Sequence, residues 1–458
     1  MIPQHRPLPV AAALFVLLLM GCRASGNHPL PVPAAPRLDP VHDPVASQQG
    51  EPPTLVSLLL EQGVLTAEQA AALAAVPPER GPSVRVGPGG FRVASRDGST
   101  SIRIGGRLQA DANWHLRDTA LDEALIEDGT EVRRARFELK GTLPHDFLWV
   151  AELDFANNEA AVKDFWMGWQ RPGAPLWALG HQKVPYSLAV EMSSNDLPFA
   201  ERGVDNFLII PFVDRAIGVR GQHNSEHLFA AASVFGNSVS PTNDDDDGWG
   251  VAARFVTAPI LEDRRVLHLG LRSAFRQPSD GSESVRIRDE STNMSNFRVL
   301  DTGVIDAVDG TLLYGAEFTL AHGPFSIGGE YNVASIDRAG EDFDFTSWHV
   351  AGTYSLTGES HASAYRIGAG EFKRLVAAPE SRCGAWELAA RLANLDLNDG
   401  GLSAGEEDAL TLGLVWYATR NVRFLLNWTR LIDTNGGSAE TRDAEGLDIF
   451  TFRGQLNF

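Results

Sequence analysis

The sequence predicts an all-β chain, a 16-stranded antiparallel transmembrane β-barrel with a short N-terminal helical segment, and three observations lead there. The first is the stretch from Ser101 to His115. Strand side chains alternate between two faces, so Ile102, Ile104, Leu108, Ala110, Ala112 and Trp114 share one face. Arg103, Arg107, Gln109, Asp111, Asn113 and His115 share the other. About fifteen residues at roughly 3.3 Å each is long for a soluble strand, where five or six residues are usual. The second observation is that such alternation recurs between turn residues to give sixteen candidate strands. An even number lets an antiparallel barrel close with both ends on one side. The third is hydropathy, with a mean of -0.13 and no stretch after residue 20 that approaches the roughly twenty apolar residues a membrane helix needs.

Taken in order, residues 1–21 read as a signal peptide, with Arg6, an apolar run from Val10 to Met20, and then Leu19-Met-Gly-Cys22 in the pattern of a lipidation box. Cys22 is the expected acylated residue. Cys383 is the other cysteine, so no disulfide framework is expected. Residues 22–53 form a Pro-rich tether. Residues 54–80 are expected to be a short periplasmic helical segment, two helices broken at Gly63 with Thr66 capping the second. The barrel domain is expected over residues 90–458.

Its strands are predicted near 101–115, 131–141, 146–156, 160–170, 174–183, 215–223, 226–236, 249–257, 266–276, 311–321, 324–336, 345–357, 384–396, 408–418, 421–432 and 447–458. Their connections should alternate short and long. Residues 358–383 break that rule, being long where a short turn is due. Outward faces agree: Phe147, Trp149, Ala151, Leu153 and Phe155 alternate with Glu152 and Asp154. The chain ends with Phe450, Phe452, Leu456 and Phe458 on one face, and ten tryptophans are available for interfacial girdles.

A formal charge of -20 argues against a nucleic-acid partner. Only four of the 39 basic residues are lysines, Lys140, Lys163, Lys183 and Lys373, so the cations are mostly permanently charged guanidinium forks. Residues 184–214 follow the fifth strand, where a constriction loop would fold inward, and carry Glu191, Asp196, Glu201, Arg202 and Asp205.

From Gly90 to Phe458 the sequence resembles the phosphate-selective porins O and P. The resemblance is carried by Ile104-Gly-Gly-Arg-Leu-Gln-Ala-Asp111, Arg133-Arg134-Ala135, the Pro185-to-Arg202 segment, Tyr354-Ser-Leu-Thr-Gly-Glu359, Gly384-to-Arg391 and Val415-Trp-Tyr417. It implies a passive channel of the Gram-negative outer membrane, homotrimeric, in contact with outer-membrane lipid and lipopolysaccharide, and passing small anions. It also implies an anion pathway along Arg107, Arg133, Arg134, Arg286 and Arg288, with Asp164 as a pore aspartate and Glu191 and Arg202 in the constriction loop. Where similar porins have lysines, this sequence has Val190, Arg366 and Val376. Arg366 joins the expected pathway, and the preferred anion stays open between phosphate and other inorganic anions. A lining of one sign concentrates counter-ions, and paired N–H groups replace part of their hydration. No cofactor, no metal and no catalytic residue is expected.

Several alternatives accompany this reading. Arg133 and Arg134 cannot both face the lumen of a regular strand, so one belongs at a rim or a bulge. Asp244 to Asp247 reads as a solvated external loop and not a calcium loop, and His223 and His227 flank a turn without a second ligand pair. Ser347 and His349 share a face, as a barrel phospholipase would need, but that face is the inward one. The remaining alternative is a lipid-anchored structural barrel linking membrane to cell wall.

Overall fold

The computed structural model describes residues 62–64, 66, 68–69 and 81–458, apart from 88, 117–127, 240–247, 280–283, 290–297, 377–382 and 436–443. The signal peptide, Cys22, the tether, most of the 54–80 segment and Asp244 to Asp247 lie outside the described residues. The chain divides into two compact units, Met1–Ser83 and Val84–Phe458. Within the first, Gly63 has φ +72°. Thr66 N–H donates to Gln69 Oε1 at 2.9 Å and Gln69 N–H donates to Thr66 Oγ1 at 3.2 Å, the reciprocal pair of a capping box.

The second unit is a closed barrel of sixteen strands: β1 (Ser101–Leu116), β2 (Gly129–Leu143), β3 (Phe147–Asp154), β4 (Ala161–Trp169), β5 (Leu176–Lys183), β6 (Arg215–Asn224), β7 (Leu228–Phe235) and β8 (Trp249–Glu262). These are followed by β9 (Arg265–Gln277), β10 (Val308–His322), β11 (Phe325–Arg338), β12 (Phe343–Ser355), β13 (Ala385–Asp399), β14 (Leu402–Tyr417), β15 (Val422–Asn435) and β16 (Asp448–Asn457). Each pairs antiparallel with the next. β16 returns to β1 with Asp448 opposite Leu116 and Asn457 opposite Arg107. Closure leaves no unpaired barrel edge.

All sixteen predicted strands are present, with shifted limits. β14 begins at Leu402 rather than 408, because its hairpin with β13 turns on Gly400 and Gly401 alone. The stretch from Asp396 to Asp408 is polar on its outward face and so reads as loop, although a strand that rises above the lipid has no need of grease. Two short strands ahead of β1 were not expected. Ser83–Gly87 is one; Gly90–Ala94 is the other, and it pairs with the start of β1, Phe91 opposite Ile104 and Ala94 opposite Ser101.

The alternation on β1 places Ile102 and Leu108 on the exposed exterior, whereas Ser101, Gln109, Asp111, Asn113 and His115 are buried within. The short turns share an end with the start of β1 and the end of β16, which makes that end periplasmic by the usual asymmetry of such barrels. The long periplasmic connection, residues 356–384, is no turn. It carries 3₁₀ segments at His361–Ala364 and Ile367–Ala369 and a small hairpin, Tyr365–Arg366 with Glu371–Phe372. It folds inward: Ala362 and Phe372 pack with Val266 and Ala321 of the wall and with Leu188 of the 184–214 loop.

The largest apolar cluster among the described residues lies inside the barrel. Leu208, Ile209 and Phe212 of loop 184–214 and Ile287 and Leu300 of loop 278–307 pack on inward residues of β11 to β15, among them Ala334, Phe345, Leu395 and Leu431. Many inward positions on those strands are apolar toward the outer end, and the loops' apolar side chains leave water by packing against them.

Candidate functional site: the inward loop and its charged wall

Loop 184–214 crosses the bore and is tied down around it. Its one helical turn, α1 (Leu188–Glu191), is capped by Ser187, whose Oγ accepts from Val190 N–H at 3.0 Å. Two wall carboxylates take the next amides, Leu188 N–H donating to Glu317 Oε2 at 3.0 Å and Ala189 N–H to Glu330 Oε1 at 2.6 Å. Farther along, Ala200 N–H donates to Asn427 Oδ1 at 2.6 Å, and Arg423 donates to the Leu197 and Ser194 carbonyls. Arg453 donates to the Ala200 carbonyl, Arg391 to the Glu201 carbonyl and Ser347 Oγ to the Asp205 carbonyl. A loop enclosed by a barrel has little water for its backbone, so wall side chains take that part.

Of the expected arginines, Arg107, Arg133 and Arg134 line the wall, each as a member of an ion pair. Arg107 Nη2 meets Glu152 at 2.8 Å while its Nη1 donates to Ser193 and Ser194. Arg136 bridges Glu152 and Asp154 at 2.9 and 2.7 Å. Asp164, the expected pore aspartate, takes a two-pronged contact from Arg215 at 3.2 and 3.1 Å. Glu191 is held in the same way by Arg220. On the opposite side, Arg254, Arg272, His268 and Glu317 form a network of fully buried side chains. The lining of one sign that the resemblance implies is therefore a mosaic of both signs. Desolvating a guanidinium is costly unless a counter-charge accompanies it.

Arg133 and Arg134 both reach the lumen. Gln109 faces Arg134 and Ala110 faces Val132, so Arg133 is the extra residue of a bulge. Both then grip Glu201: Arg133 Nε at 3.1 Å, Arg134 Nη1 and Nη2 at 2.9 Å each. Arg453 adds a third contact to Glu201 at 2.6 Å while holding Asp111 at 2.7 and 2.6 Å. Burial by itself would raise the Glu201 carboxyl, but Arg134, Arg453 and Arg133 overcome it and hold it well below the usual carboxylate range.

The remaining expected residues are more dispersed. Arg202 donates to the carbonyls of Ala189 and Met192 at 2.6 and 3.0 Å, bracing its own loop. Arg286 and Arg288 lie on the exposed side of loop 278–307, where Arg286 pairs with Asp301 and Ile287 between them is buried. Arg366 is exposed in the inward periplasmic segment. Val190 is buried in the apolar cluster and Val376 is exposed. Ser347 and His349 face inward onto Asp205, His349 Nδ1 at 2.7 Å from its carboxylate.

Two lumen cations were not among the expected pathway residues. Across β3 and β4 the register jumps from Ala151 opposite Phe165 to Leu153 opposite Val162, so Lys163 and Asp164 both face Glu152. The doublet Lys163-Asp164, like Arg133-Arg134, puts consecutive charges inside a strand, and that is the legible signal of a bulge. Arg391 lies with its guanidinium 4.4 Å from the Phe199 ring centre and reaches Thr411 Oγ1 only at 3.4 Å. Among the described residues, no carboxylate comes within 4.0 Å of Lys163, Arg202 or Arg391. Lys183 and Arg423 likewise bind carbonyls and an amide.

Arg202 and Arg391 border two cavities. One, of about 80 Å³, is lined by Asn113, Glu407, Thr411, Thr429 and Thr451. The other, of about 130 Å³, lies between loop 184–214 and the inward periplasmic segment. The bore is thus constricted without being packed solid.

A closed sixteen-stranded barrel with an apolar exterior, a charged lumen and a loop folded across the bore defines an outer-membrane porin. Residues 102–458 match the family described as phosphate-selective porin O and P, and the chain belongs to that family. Its place is therefore the Gram-negative outer membrane. It is 26% identical over 375 residues to Porin O of Pseudomonas aeruginosa, covering 73% of this chain and 84% of that one. An uncharacterized protein of Caulobacter vibrioides is 27% identical over 358 residues, 74% of this chain and 70% of its own length. Among solved structures, an anion-selective porin from Comamonas acidovorans superposes with a TM-score of 0.51 at 13% identity, covering 78% of this chain and 100% of that one. Family and fold point to a channel rather than an enzyme.

Proposed function

We propose that this porin is a passive channel with a preference for small inorganic anions, phosphate among them, set mainly by the cations that lack a carboxylate partner. The observation that carries this reading is the placement of Lys163, Arg202 and Arg391 in the lumen with no carboxylate within 4.0 Å among the described residues. Neutralised pairs such as Arg107 with Glu152 add little net field, whereas a cation with no carboxylate at pairing distance keeps more of its own. Exposed Arg288 at one end and Arg366 at the other serve as gathering charges. The anion-selective character of the Comamonas acidovorans porin supports the same reading. Lys163→Glu is expected to shift the reversal potential under a potassium chloride gradient toward cation selectivity. A reversal potential equal to that of the wild type would count against the assignment.

A homotrimer bedded in lipid and lipopolysaccharide is proposed from the family resemblance, and mass measurement in detergent tests it. A lipid anchor at Cys22 is proposed from the lipidation box. Palmitate labelling that disappears in Cys22→Ala would support it, and labelling that persists would refute it.

A further inference from the structure

We infer that the cavity of about 130 Å³ between loop 184–214 and the inward periplasmic segment is a binding site for small organic monocarboxylates, with Arg391 as the residue that takes the carboxylate. The inference rests on the anion-channel reading and names a substrate class for one place in it.

The walls of this cavity are not those of a site for a hydrated inorganic ion. Leu188, Met192, Leu197, Pro198, Phe199 and Phe372 are among its lining residues, and the exposed wall is mainly apolar. A phosphate or sulfate entering such a space gives up water on every side and recovers hydrogen bonds on one. A carboxylate on a hydrocarbon body presents the complementary shape, charged at one end and apolar at the other. Pockets with mostly apolar walls and a few convergent polar groups suit ligands of that kind.

Most charged groups on the cavity are committed, and Arg391 is only partly so, its Nη1 donating to the Glu201 carbonyl at 3.0 Å. Glu330 is held by Arg272 at 2.9 Å and by Ala189 N–H. Asp205 is held through Oδ2 by His349 while its buried Oδ1 makes no hydrogen bond, and His361 is held by Glu387 at 2.5 Å. Arg202 is spent on its own loop's carbonyls. Arg391 alone combines a buried Nε that makes no hydrogen bond with a long 3.4 Å contact at Nη2. Its guanidinium lies on Phe199, so an anion reaching Arg391 brings its body against that ring. A guanidinium edge offers a carboxylate two parallel N–H groups.

The test uses the full-length porin in planar bilayers carrying a chloride current, with benzoate, acetate, phosphate and sulfate added in turn. Benzoate is expected to reduce the current saturably, at a concentration at least tenfold lower than phosphate or sulfate. Arg391→Gln should raise the half-blocking benzoate concentration by about tenfold, the loss of one charge-assisted pair. Met192→Ser and Phe372→Ser, both on inward segments outside the sixteen barrel strands, should weaken benzoate block while leaving acetate unchanged. They also carry the test if Arg391→Gln fails to fold. Benzoate no more potent than phosphate, or equal block in wild type and folded variants, overturns the site. A channel that carries no chloride current, or that is cation-selective, overturns the anion-channel reading itself. Chloride conduction without benzoate block overturns only the site.

Discussion

Glu201→Ala is expected to release the inward loop and enlarge the single-channel conductance. Glu201 is the shared counter-ion of Arg133, Arg134 and Arg453, which approach it from β2 and β16. Removing it leaves three guanidinium groups with one carboxylate fewer, and breaking a buried pair costs roughly 3–5 kcal/mol. The lower end applies, since the Glu201 side chain is 27% exposed and water screens part of the loss. The denaturation midpoint should fall, and the anion-to-cation permeability ratio should rise as the lumen gains one net positive charge. Wild-type conductance and midpoint together would refute the anchoring role.

The pH dependence of this anchor follows from its sign. The Glu201 carboxyl is depressed in the folded protein, so its contribution is fully present above the ordinary glutamate value of about 4.3. It is lost only as pH falls through the depressed folded value. Conductance should therefore hold steady from neutral pH down to about 5 as far as Glu201 is concerned. A carboxyl titration step between pH 5 and 7 that is absent in Glu201→Ala would contradict the arrangement.

Gly106→Val is expected to prevent the barrel from closing. A Cβ on Gly106 would lie 2.4 Å from the Arg136 carbonyl oxygen and 2.6 Å from the Phe458 ring. Gly106 also exchanges backbone hydrogen bonds with Phe458, donating at 2.9 Å and accepting at 3.1 Å. This is the seam where the last strand meets the first. Overpacking of a core costs about 1–3 kcal/mol where side chains can yield, and a backbone oxygen in a paired strand cannot. The measurement is electrophoretic mobility with and without heating, on which a folded barrel and an unfolded chain differ. A Gly106→Val protein with the heat-dependent mobility and urea midpoint of the wild type would show that the seam tolerates the extra carbon.

Much of the barrel was legible because its signals are local. Ile102, Leu108 and Trp114 against Gln109, Asp111 and Asn113 announce a two-faced strand from spacing alone, and the same rhythm marks the other fifteen. The long interval after the fifth strand likewise marked 184–214 as the segment able to cross the bore, which it does. The length of 358–383 flagged an excursion where a turn was due, although nothing in its composition said that it would fold inward. The lumen was less legible. Arg107, Arg133 and Arg134 were recognisable as wall residues, but their neutralisation was not, since Arg133 and Arg134 depend on Glu201 more than sixty residues away.

The sequence by itself determined the number of barrel strands, the face most strand residues present and the first loop that enters the lumen, because period-two alternation is written between neighbours. Which cations keep an unmatched charge was decided only by the closed barrel. Pairing joins side chains as distant as Arg453 and Asp111, 342 residues apart, and a guanidinium's field inside the bore depends on whether such a partner arrives. Lys163 and Arg391 carry weight because closure brings their neighbours' counter-ions to other arginines.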